Sequence, residues 1–433
     1  MNTNKKTPNL RFKGFTDDWE QRKLNDFGIA TGGTSIESEF VDGGTYKVIN
    51  IGSYSEESVY NDQGLRVNKT DKTKSRILNK YDLTMILNDK TASGNIIGRV
   101  LLIDQDNTYV YNQRTERIEV DTKNFLPMFL YHMLNAPEQR KYIVKASQGN
   151  TQIYVNWSTI SNIDYMIPQL LLEQEKIANL FSLINKDITL HQRKLEKLKL
   201  NKSALLQKLF PQKGCTIPDV RFKGFTDAWE QCKLDDIAKI KTGGGTPKTA
   251  KPEYWSGNIP WIQSSDLVEG DITHVNINKF INNNALKNSA AKLISRDSIA
   301  LVTRVGVGKV AVINQDFTTS QDFLSLSDFD RRDIKFLAYQ LYRLMQENAK
   351  VLQGTSIKGI TKTELIEQSI LIPNSGQEQH LISNVLSKID SIITLHQRKL
   401  EHLNLKKKAL LQKLFPKNGE CYPELRFPGF TDA

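Results

Sequence analysis

The sequence is poor in the residues that build disulfide-bonded, zinc-binding or membrane-spanning proteins. Its three cysteines are scattered and none falls in a CxxC pair, which argues against disulfides and zinc sites and favours a reducing compartment. No run of about 18 apolar residues occurs, so no membrane span is expected. The N-terminus lacks the apolar segment of a secretory signal. We therefore expect a cytoplasmic protein without a membrane partner.

Motifs of nucleotide-using and methyl-transferring enzymes are also missing. Residues 306–309 read GVGK and resemble a phosphate-binding loop, but Thr303 stands where the first glycine is required and Val310 replaces Ser or Thr. No Asn-Pro-Pro-Tyr or Asp-Pro-Pro-Tyr segment and no carboxylate–lysine cluster of a nuclease is visible. We expect no catalytic residue, no bound cofactor and no metal site in this chain.

What the sequence does contain is a long internal repeat. Residues 10–24 read LRFKGFTDDWEQRKL and residues 220–234 read VRFKGFTDAWEQCKL, with 12 of 15 positions identical. A second block, residues 188–211, recurs at residues 393–416 with 20 of 24 positions identical. Such a long period indicates domain duplication rather than a solenoid.

The segments between the repeated blocks differ from each other. Residues 35–148 have only scattered counterparts in residues 248–353. Constant ends around unlike middles predict one scaffold that carries two different readers, and hence an asymmetric target in two parts. Residues 425–433 begin the front block a third time, so the chain is expected to close on itself with pseudo-two-fold symmetry.

The second block is basic in both copies. Residues 186–213 and 388–417 each carry eight Lys or Arg against two acidic residues, in a chain whose net charge is +11. A basic surface of this kind suits a phosphate backbone or an acidic partner. It equally suits a solvated helix face, because Lys and Arg are good helix formers. Charge clustering alone leaves both interpretations open.

Both basic blocks carry the heptad pattern of a coiled coil, because apolar residues recur at alternating spacings of three and four. The seam is interrupted at matching positions by His191 and His396 and by Lys202 and Lys407, as expected of polar residues that fix register. The pattern predicts two long antiparallel helices. The apolar and histidine seam positions, which are also candidates for partner docking, are Phe181, Ile184, Ile188, His191, Leu195, Leu198, Leu205, Leu209, Leu386, Ile389, Ile393, His396, Leu400, Leu403, Leu410 and Leu414.

Helices of this length are expected to set a fixed distance between the two modules. Residues 173–209 would span roughly 55 Å as an α-helix. An antiparallel pair would hold two modules roughly 35–50 Å apart, compared with ~34–36 Å for one turn of duplex DNA. Two modules held in this way would enter the same face of one duplex.

Together these segments resemble the DNA-specificity subunit of a type I restriction–modification enzyme. The resemblance rests on the RFKGFTDDW and RFKGFTDAW blocks, the helix entries IPQLLLEQEKIANLF and IPNSGQEQHLISNVL, and the paired HQRKL segments, and it covers essentially the whole chain. It implies a non-catalytic subunit that reads a split, asymmetric target in double-stranded DNA. Its helices would dock two methyltransferase subunits, which restriction subunits join, and S-adenosylmethionine, Mg²⁺ and ATP would belong to those partners.

The predicted fold is α+β, with two pseudo-repeated α/β target-recognition domains joined by two long antiparallel coiled-coil helices in a circular pseudo-two-fold arrangement. The predicted boundaries are 1–168 for target-recognition domain 1, 169–212 for helix 1, 213–373 for target-recognition domain 2, 374–417 for helix 2 and 418–433 for the C-terminal fragment. Turn signals bound short β-rich stretches. Among them are residues 96–103, 108–120, 299–302 and 309–313.

Candidate base-reading residues are polar and guanidinium side chains in the module loops, because Arg and Lys match the edge of guanine, and Asn and Gln that of adenine. The candidates in the first module are Lys90, Thr91, Ser93, Asn112, Gln113, Arg114, Asn150, Gln152 and Tyr154. Those in the second module are Gln263, Ser264, Ser265, Thr303, Arg304, Gln321 and Lys358. Each is open to the simpler interpretation of an ordinary polar surface residue.

A stand-alone duplicated DNA-binding regulator or architectural protein is the alternative function. Symmetric dimers of that class read palindromes, whereas this chain carries two unlike readers. The tryptophans do not help to choose between these two functions. Trp157, Trp255 and Trp261 are better suited to anchor the core or a loop than to stack on bases. The front-block Trp19 and Trp229 suit anchors onto the helix bases.

Overall fold

The computed structural model describes residues 11–330, 332–353 and 359–415. The chain divides into two compact units, unit 1 from the described residues within 1–190 and 400–433, and unit 2 from residues 191–399. Each long helix contributes one part to each unit. The candidate Lys358 and the C-terminal fragment lie outside the described residues, and the predicted domain boundaries stay predictions.

Unit 1 is a mixed α/β unit. Its strands are β1 (Glu20–Lys23), β2 (Gly28–Gly32), β3 (Tyr46–Ile49), β4 (Arg66–Val67), β5 (Leu83–Ile86), β6 (Asn88–Asp89), β7 (Val100–Leu102), β8 (Tyr109–Tyr111), β9 (Thr115–Val120), β10 (Ile153–Tyr154) and β11 (Asp164–Ile167). Its helices are α1 (Pro127–Leu134), α2 (Pro137–Ala146) and α3 (Trp157–Ile160), followed by the long α4 (Leu171–Lys208), which continues into unit 2.

Unit 2 has the same mixture of elements. Its strands are β12 (Glu230–Lys233), β13 (Ile240–Gly243), β14 (Ile259–Ile262), β15 (Lys279–Ile281), β16 (Ser298–Val302), β17 (Val310–Ile313), β18 (Thr318–Thr319), β19 (Phe323–Ser327) and β20 (Ser369–Ile372). Its helices are α5 (Leu234–Ile237), α6 (Asn283–Lys287), α7 (Ile334–Gln353) and α8 (Lys362–Ile366), and α9 (Gly376–Lys413) runs on into unit 1.

The two units share one strand topology. The four-stranded antiparallel sheet has the order β2-β9-β5-β7 in unit 1 and β13-β19-β16-β17 in unit 2. The three-stranded sheet β4-β3-β8 corresponds to β15-β14-β18, and both contain one parallel pair. The ribbon β1-β11 corresponds to β12-β20, while the ribbon β6-β10 has no counterpart in the described part of unit 2. The unlike middles are therefore variants of one fold.

Two predicted β-rich stretches are shorter than expected. Residues 108–120 form two strands, because Arg114 has a φ of 66° and turns the chain between β8 and β9. Residues 96–103 become a strand only at Val100, since Gly98 sits at a φ of 70° in the preceding turn. The stretches predicted in unit 2 coincide with β16 and β17.

The front-block tryptophans, which were predicted as anchors onto the helix bases, are buried in the cores of their units. Trp19 is 1% exposed, and its ring lies edge-on to Phe129 with 6.3 Å between centroids. Trp229 is 2% exposed and lies edge-on to Phe336 at 5.6 Å. Both therefore anchor the front of a module against a helix of the same unit.

A partly buried ion pair ties each front block to the start of a long helix. Arg11 Nε and Nη2 donate to the Glu173 carboxylate at 2.6 and 2.8 Å in unit 1. Arg221 makes the same bidentate contact with Glu378 at 2.7 and 2.9 Å in unit 2. Planar guanidinium–carboxylate pairs of this kind fix orientation as well as contact. Neither carboxylate was predicted from the sequence.

The heptad seam is confirmed. Every predicted seam position in α4 and α9 is buried or half-buried, and Ile184 and Ile188 pack with Leu403 in unit 1. His191 meets His396 in unit 2, with 2.7 Å between their Nδ1 atoms. These pairings make the helices antiparallel within each unit. Among the described helices, none is long and apolar enough to cross a membrane.

Candidate nucleic-acid interface

Five of the predicted readers in unit 1, Asn112 among them, line one cleft of about 300 Å³. Lys90 follows β6, Gln152 precedes β10, and Gln113 and Arg114 form the turn between β8 and β9. These four residues are exposed, whereas the fifth, Asn112, is buried. The β6-β10 ribbon pairs Asn88 with Tyr154, so strand pairing carries Lys90 and Gln152 to the same edge.

The turn that presents Gln113 and Arg114 is held by a carboxylate. Glu37 accepts hydrogen bonds from Gln113 Nε2 at 2.9 Å and from Asn112 Nδ2 at 3.0 Å. The Ser35 hydroxyl also donates to Glu37, and this bond, together with those amides, lowers the pKa of Glu37 to about 2. The ionised Glu37 carboxylate therefore holds this turn in place through hydrogen bonds, a role that was not predicted from the sequence.

Asn112 has a different environment from its neighbours. It is 4% exposed, and its Oδ1 accepts from the backbone N–H groups of Ile36 at 3.1 Å and Gln113 at 2.8 Å. Its amide is therefore engaged inside the loop. In this position Asn112 supports the turn. The carbonyl of Arg114 accepts a hydrogen bond from Leu87 N at 2.8 Å, and the Arg114 side chain is exposed.

Thr91 and Ser93 lie in a loop that is organised from inside the unit. Asp89 accepts from the Thr91 hydroxyl at 2.9 Å and from Ile96 N at 2.8 Å, and the hydroxyls of Thr91 and Ser93 are 2.7 Å apart. Arg140 Nη2 donates to backbone carbonyls of the same loop, Ile97 O at 2.8 Å among them. Burial lowers the pKa of Arg140 to about 10.

The remaining candidates of unit 1 lie on a neighbouring hairpin. Backbone hydrogen bonds of 2.9 Å in both directions join Gln148 to Tyr154. Gly149 has a φ of 103°, and a Cβ there would lie 2.1 Å from Gln152 O, so the loop needs glycine at this position. Asn150 and Tyr154 are exposed at its surface.

The candidates of unit 2 come from three loops at one edge of its sheets. Residues 263–265 follow β14, Thr303 and Arg304 follow β16, and Gln321 lies in the β18–β19 turn. Backbone bonds connect these loops, from Ser320 N to Ile262 O at 2.9 Å and from Thr303 N to Asp322 O at 2.7 Å. The same three loop positions carry Asn50, Leu87 and the 112–114 turn in unit 1.

Exposure separates the candidates of unit 2 into two groups. Thr303 is 7% exposed, and its hydroxyl donates to Asp322 O at 3.0 Å. Gln263 accepts from Lys279 Nζ at 3.2 Å, while Lys309 Nζ holds the backbone of Ser264 at 3.0 Å. Arg304 and Gln321 are exposed, and their side chains make no hydrogen bond within the described residues. Ser265 is exposed beside them.

A second cleft of about 430 Å³ adjoins the readers of unit 1 and shares Gln113 and Arg114. It contains Glu116, whose pKa burial raises to about 7. Its other walls include the glycine turn of residues 32–35. Among the described residues, no group of three or more His, Cys, Asp or Glu side chains could hold a metal ion.

The fold and these loops define a duplicated protein with two related modules whose exposed edges carry different polar residues. The chain belongs to the family described as Type I restriction modification DNA specificity domain, whose model matches residues 16–200 and 226–405. The resemblance drawn from the sequence is confirmed. The chain therefore carries two DNA-specificity domains, and its relatives are named as specificity subunits rather than as catalytic ones.

Relatives of known name support the same assignment. Over 181 residues the chain is 32% identical to the MjaIX specificity subunit of a type I restriction enzyme from Methanocaldococcus jannaschii. The aligned segment spans 40% of this chain and only 41% of that subunit. Over 414 residues it is 24% identical to the putative MjaX specificity subunit of the same organism, covering 92% and 93% of the two chains.

A solved structure shares the fold. The S subunit of a type I restriction–modification system from M. genitalium matches over 95% of this chain and 99% of its own, with a TM-score of 0.65 and 16% identity. At this identity the likeness concerns the fold alone. The DNA contacts of individual residues of this chain stay predictions.

Proposed function

We propose that this chain reads a bipartite, asymmetric DNA target and directs adenine methylation and restriction by partner subunits. Unit 1 reads one half of the target and unit 2 the other. The two partner methyltransferase subunits dock on the long helices, restriction subunits join that complex, and S-adenosylmethionine, Mg²⁺ and ATP act in those partners.

The proposal is supported by one observation: units 1 and 2 share the same strand topology but carry different polar residues in the corresponding loops. Corresponding turns present Gln113 and Arg114 in unit 1 and Gln321 in unit 2, while the loop after β16 presents Arg304. Side chains of this kind discriminate bases through paired donors and acceptors. Because the two sets differ, identical half-sites are not expected, and a single chain then reads a non-palindromic sequence.

The proposed function is tested by methylation sequencing of cells that carry this chain with its methyltransferase partner, beside cells that lack only this chain. We expect a split, non-palindromic adenine-methylation motif that disappears in the deletion. An unchanged methylome, with the partner shown to be expressed and active, would favour a stand-alone DNA-binding regulator instead.

A further inference from the structure

Unit 2 contains a complete buried polar network between the long helices and α7. Lys202 and Asp390 are 6% and 2% exposed and form an ion pair. The hydroxyl of Tyr339 donates to the second carboxylate oxygen of Asp390 at 2.6 Å. Lys202 also donates to the carbonyl of Gly270. The carboxylate thus satisfies a cation and a hydroxyl at once, as buried charges require.

Unit 1 has the corresponding helix positions but lacks the carboxylate. In the helical repeat, with its offset of 205 residues, Lys407 corresponds to Lys202, whereas Asn185 corresponds to Asp390. An amide at this position keeps the shape of the carboxylate and loses its charge. The repeat therefore gives Lys407 no carboxylate at the position of Asp390, although the more distant charge of Glu57 acts on it.

The third position of the network also differs. His132 lies three residues after Phe129, and Tyr339 lies three residues after Phe336. Both phenylalanines pack edge-on to the front-block tryptophan of their own unit. His132 therefore occupies the place of Tyr339, and it brings a ring nitrogen where unit 2 has a hydroxyl.

The other two members of the unit 1 site make no hydrogen bond through their side chains within the part of the chain that the structure describes. Among the residues that the structure describes, the buried Nε2 of His132 has no hydrogen-bond partner. Lys407 is half-buried and makes no hydrogen bond or ion pair with any described residue. Burial, followed by the charge of Lys407, lowers the pKa of His132 to about 3, and burial lowers the pKa of Lys407. Each of these groups would gain from a nearby anion.

A cleft of about 370 Å³ opens at this point, and both His132 and Asn185 line it. Its other walls are largely apolar and aromatic, with Tyr60, Tyr109 and Leu101 among them. A volume of this size lies in the range of small-molecule sites, which combine apolar walls with a few polar groups.

We propose that this cleft of unit 1 binds a small organic monocarboxylate with an apolar or aromatic body. The carboxylate lies beside the Asn185 amide, which stands at the position of Asp390 in unit 2, and it accepts hydrogen bonds from Asn185 and His132. Its charge acts on Lys407, which lies outside the lining of the cleft. The body lies against the tyrosine and leucine walls. Asp104 also lines the cleft and would repel a second negative charge, so a dicarboxylate is disfavoured.

The first test is calorimetric titration of the full chain with phenylacetate and with its neutral isostere phenylacetamide. We expect saturable binding of phenylacetate and binding of the amide that is at least about tenfold weaker, because charge-assisted hydrogen bonds are the stronger ones. The ¹⁵N resonances of His132 should respond to phenylacetate. Equal affinity for the two probes, or no saturable binding of phenylacetate, would overturn the proposal.

The second test supplies the carboxylate from the chain itself. Asn185→Asp should abolish phenylacetate binding while the thermal midpoint stays at or above that of the unchanged protein, because Lys407 gains a buried partner. Asn179→Asp introduces the same charge at an exposed position of α4 and should leave binding intact. In a chain that keeps Asn185, Lys407→Met removes the cation and should also weaken phenylacetate binding. If Asn185→Asp folds and still binds phenylacetate, the site is elsewhere.

Discussion

At the scale of single residues, the candidate base-reading residues fall into two groups, those whose side chains are exposed at the surface and those whose side chains are bonded inside the unit. Arg114 and Gln113 are exposed at the tip of a fixed turn, whereas Asn112 in the same turn is buried and engaged. Sequence identifies all three as polar loop residues but gives no burial for them. The difference arises because Glu37 and Ile36, distant in the sequence, fold over Asn112.

Replacement of Arg114 should relax the target at one position. Arg114→Ala removes a guanidinium of the kind that pairs with guanine, and each such pair contributes ~1–3 kcal/mol of discrimination. We expect the methylation motif to become degenerate in one half-site and to stay unchanged in the other. Lys123→Ala, at an exposed position of the same unit outside both clefts, serves as the control. An unchanged motif in Arg114→Ala would exclude this residue as a reader.

His132 should make the stability of the protein sensitive to acid. Burial lowers its pKa from 6.5 to about 3 in the folded chain, so below pH 6.5 the unfolded chain binds a proton that the folded chain does not. The free energy of unfolding should therefore fall as the pH drops from 6.5 towards 3, by ~2 kcal/mol at pH 5.

The variant His132→Phe isolates this contribution. Urea unfolding at pH 7 and pH 5 should show a pH-dependent loss about 2 kcal/mol smaller in His132→Phe than in the unchanged protein. His402→Gln, at an exposed position of α9, is the control. Identical losses in His132→Phe and the unchanged protein would contradict the buried, neutral histidine.

At the scale of elements, the long helices were predictable because hydrophobic periodicity reports burial directly. The seam over Phe181, Ile184 and Ile188 is buried as expected. The sequence also marked Lys202 as an interruption. It did not reveal the partners Asp390 and Tyr339, since they lie on other elements more than a hundred residues away.

Removal of the Asp390 charge should destabilise unit 2. Asp390→Asn leaves Lys202 buried without its carboxylate, which typically costs ~3–5 kcal/mol. The double variant Lys202→Met/Asp390→Leu replaces the pair by apolar groups and should be less destabilised than Asp390→Asn, although the Tyr339 hydroxyl loses its acceptor. Denaturant unfolding compares the two. Equal stability of Asp390→Asn and the double variant would show that the ion pair does not fix this part of the structure.

The loops illustrate what periodicity misses. Residues 108–120 have β-forming composition throughout, yet Arg114 adopts a left-handed conformation and breaks the stretch into a hairpin. The bidentate contacts of Arg11 with Glu173 and of Arg221 with Glu378 were equally hidden. In hindsight the repeat contained a signal for them, because both partners recur at equivalent positions.

At the scale of the whole molecule, duplication was the strongest information in the sequence. Near-identical blocks at residues 10–24 and 220–234 predicted two modules on one scaffold, and the matching sheet orders of units 1 and 2 confirm two related folds. The order of strands itself was not predictable, since the middles share little sequence and non-local pairing leaves no periodic signal.

The helices should determine the spacing between half-sites, because α4 and α9 each contribute to both units. Insertion of one heptad into each seam adds ~10.5 Å of helix, or about three base pairs of duplex. We expect the methylation motif to gain about three untouched positions between half-sites that keep their sequences. A changed half-site sequence would contradict the separation of spacing from reading.

The most direct test of the central claim is replacement of residues 35–148 by the corresponding segment of a different specificity subunit, followed by methylation sequencing with the methyltransferase partner. If each unit reads one half of the target, one half-site changes to that of the donor, while the other half-site and the spacing persist. A motif that changes in both halves, or in neither, would contradict the assignment of one reader to each unit.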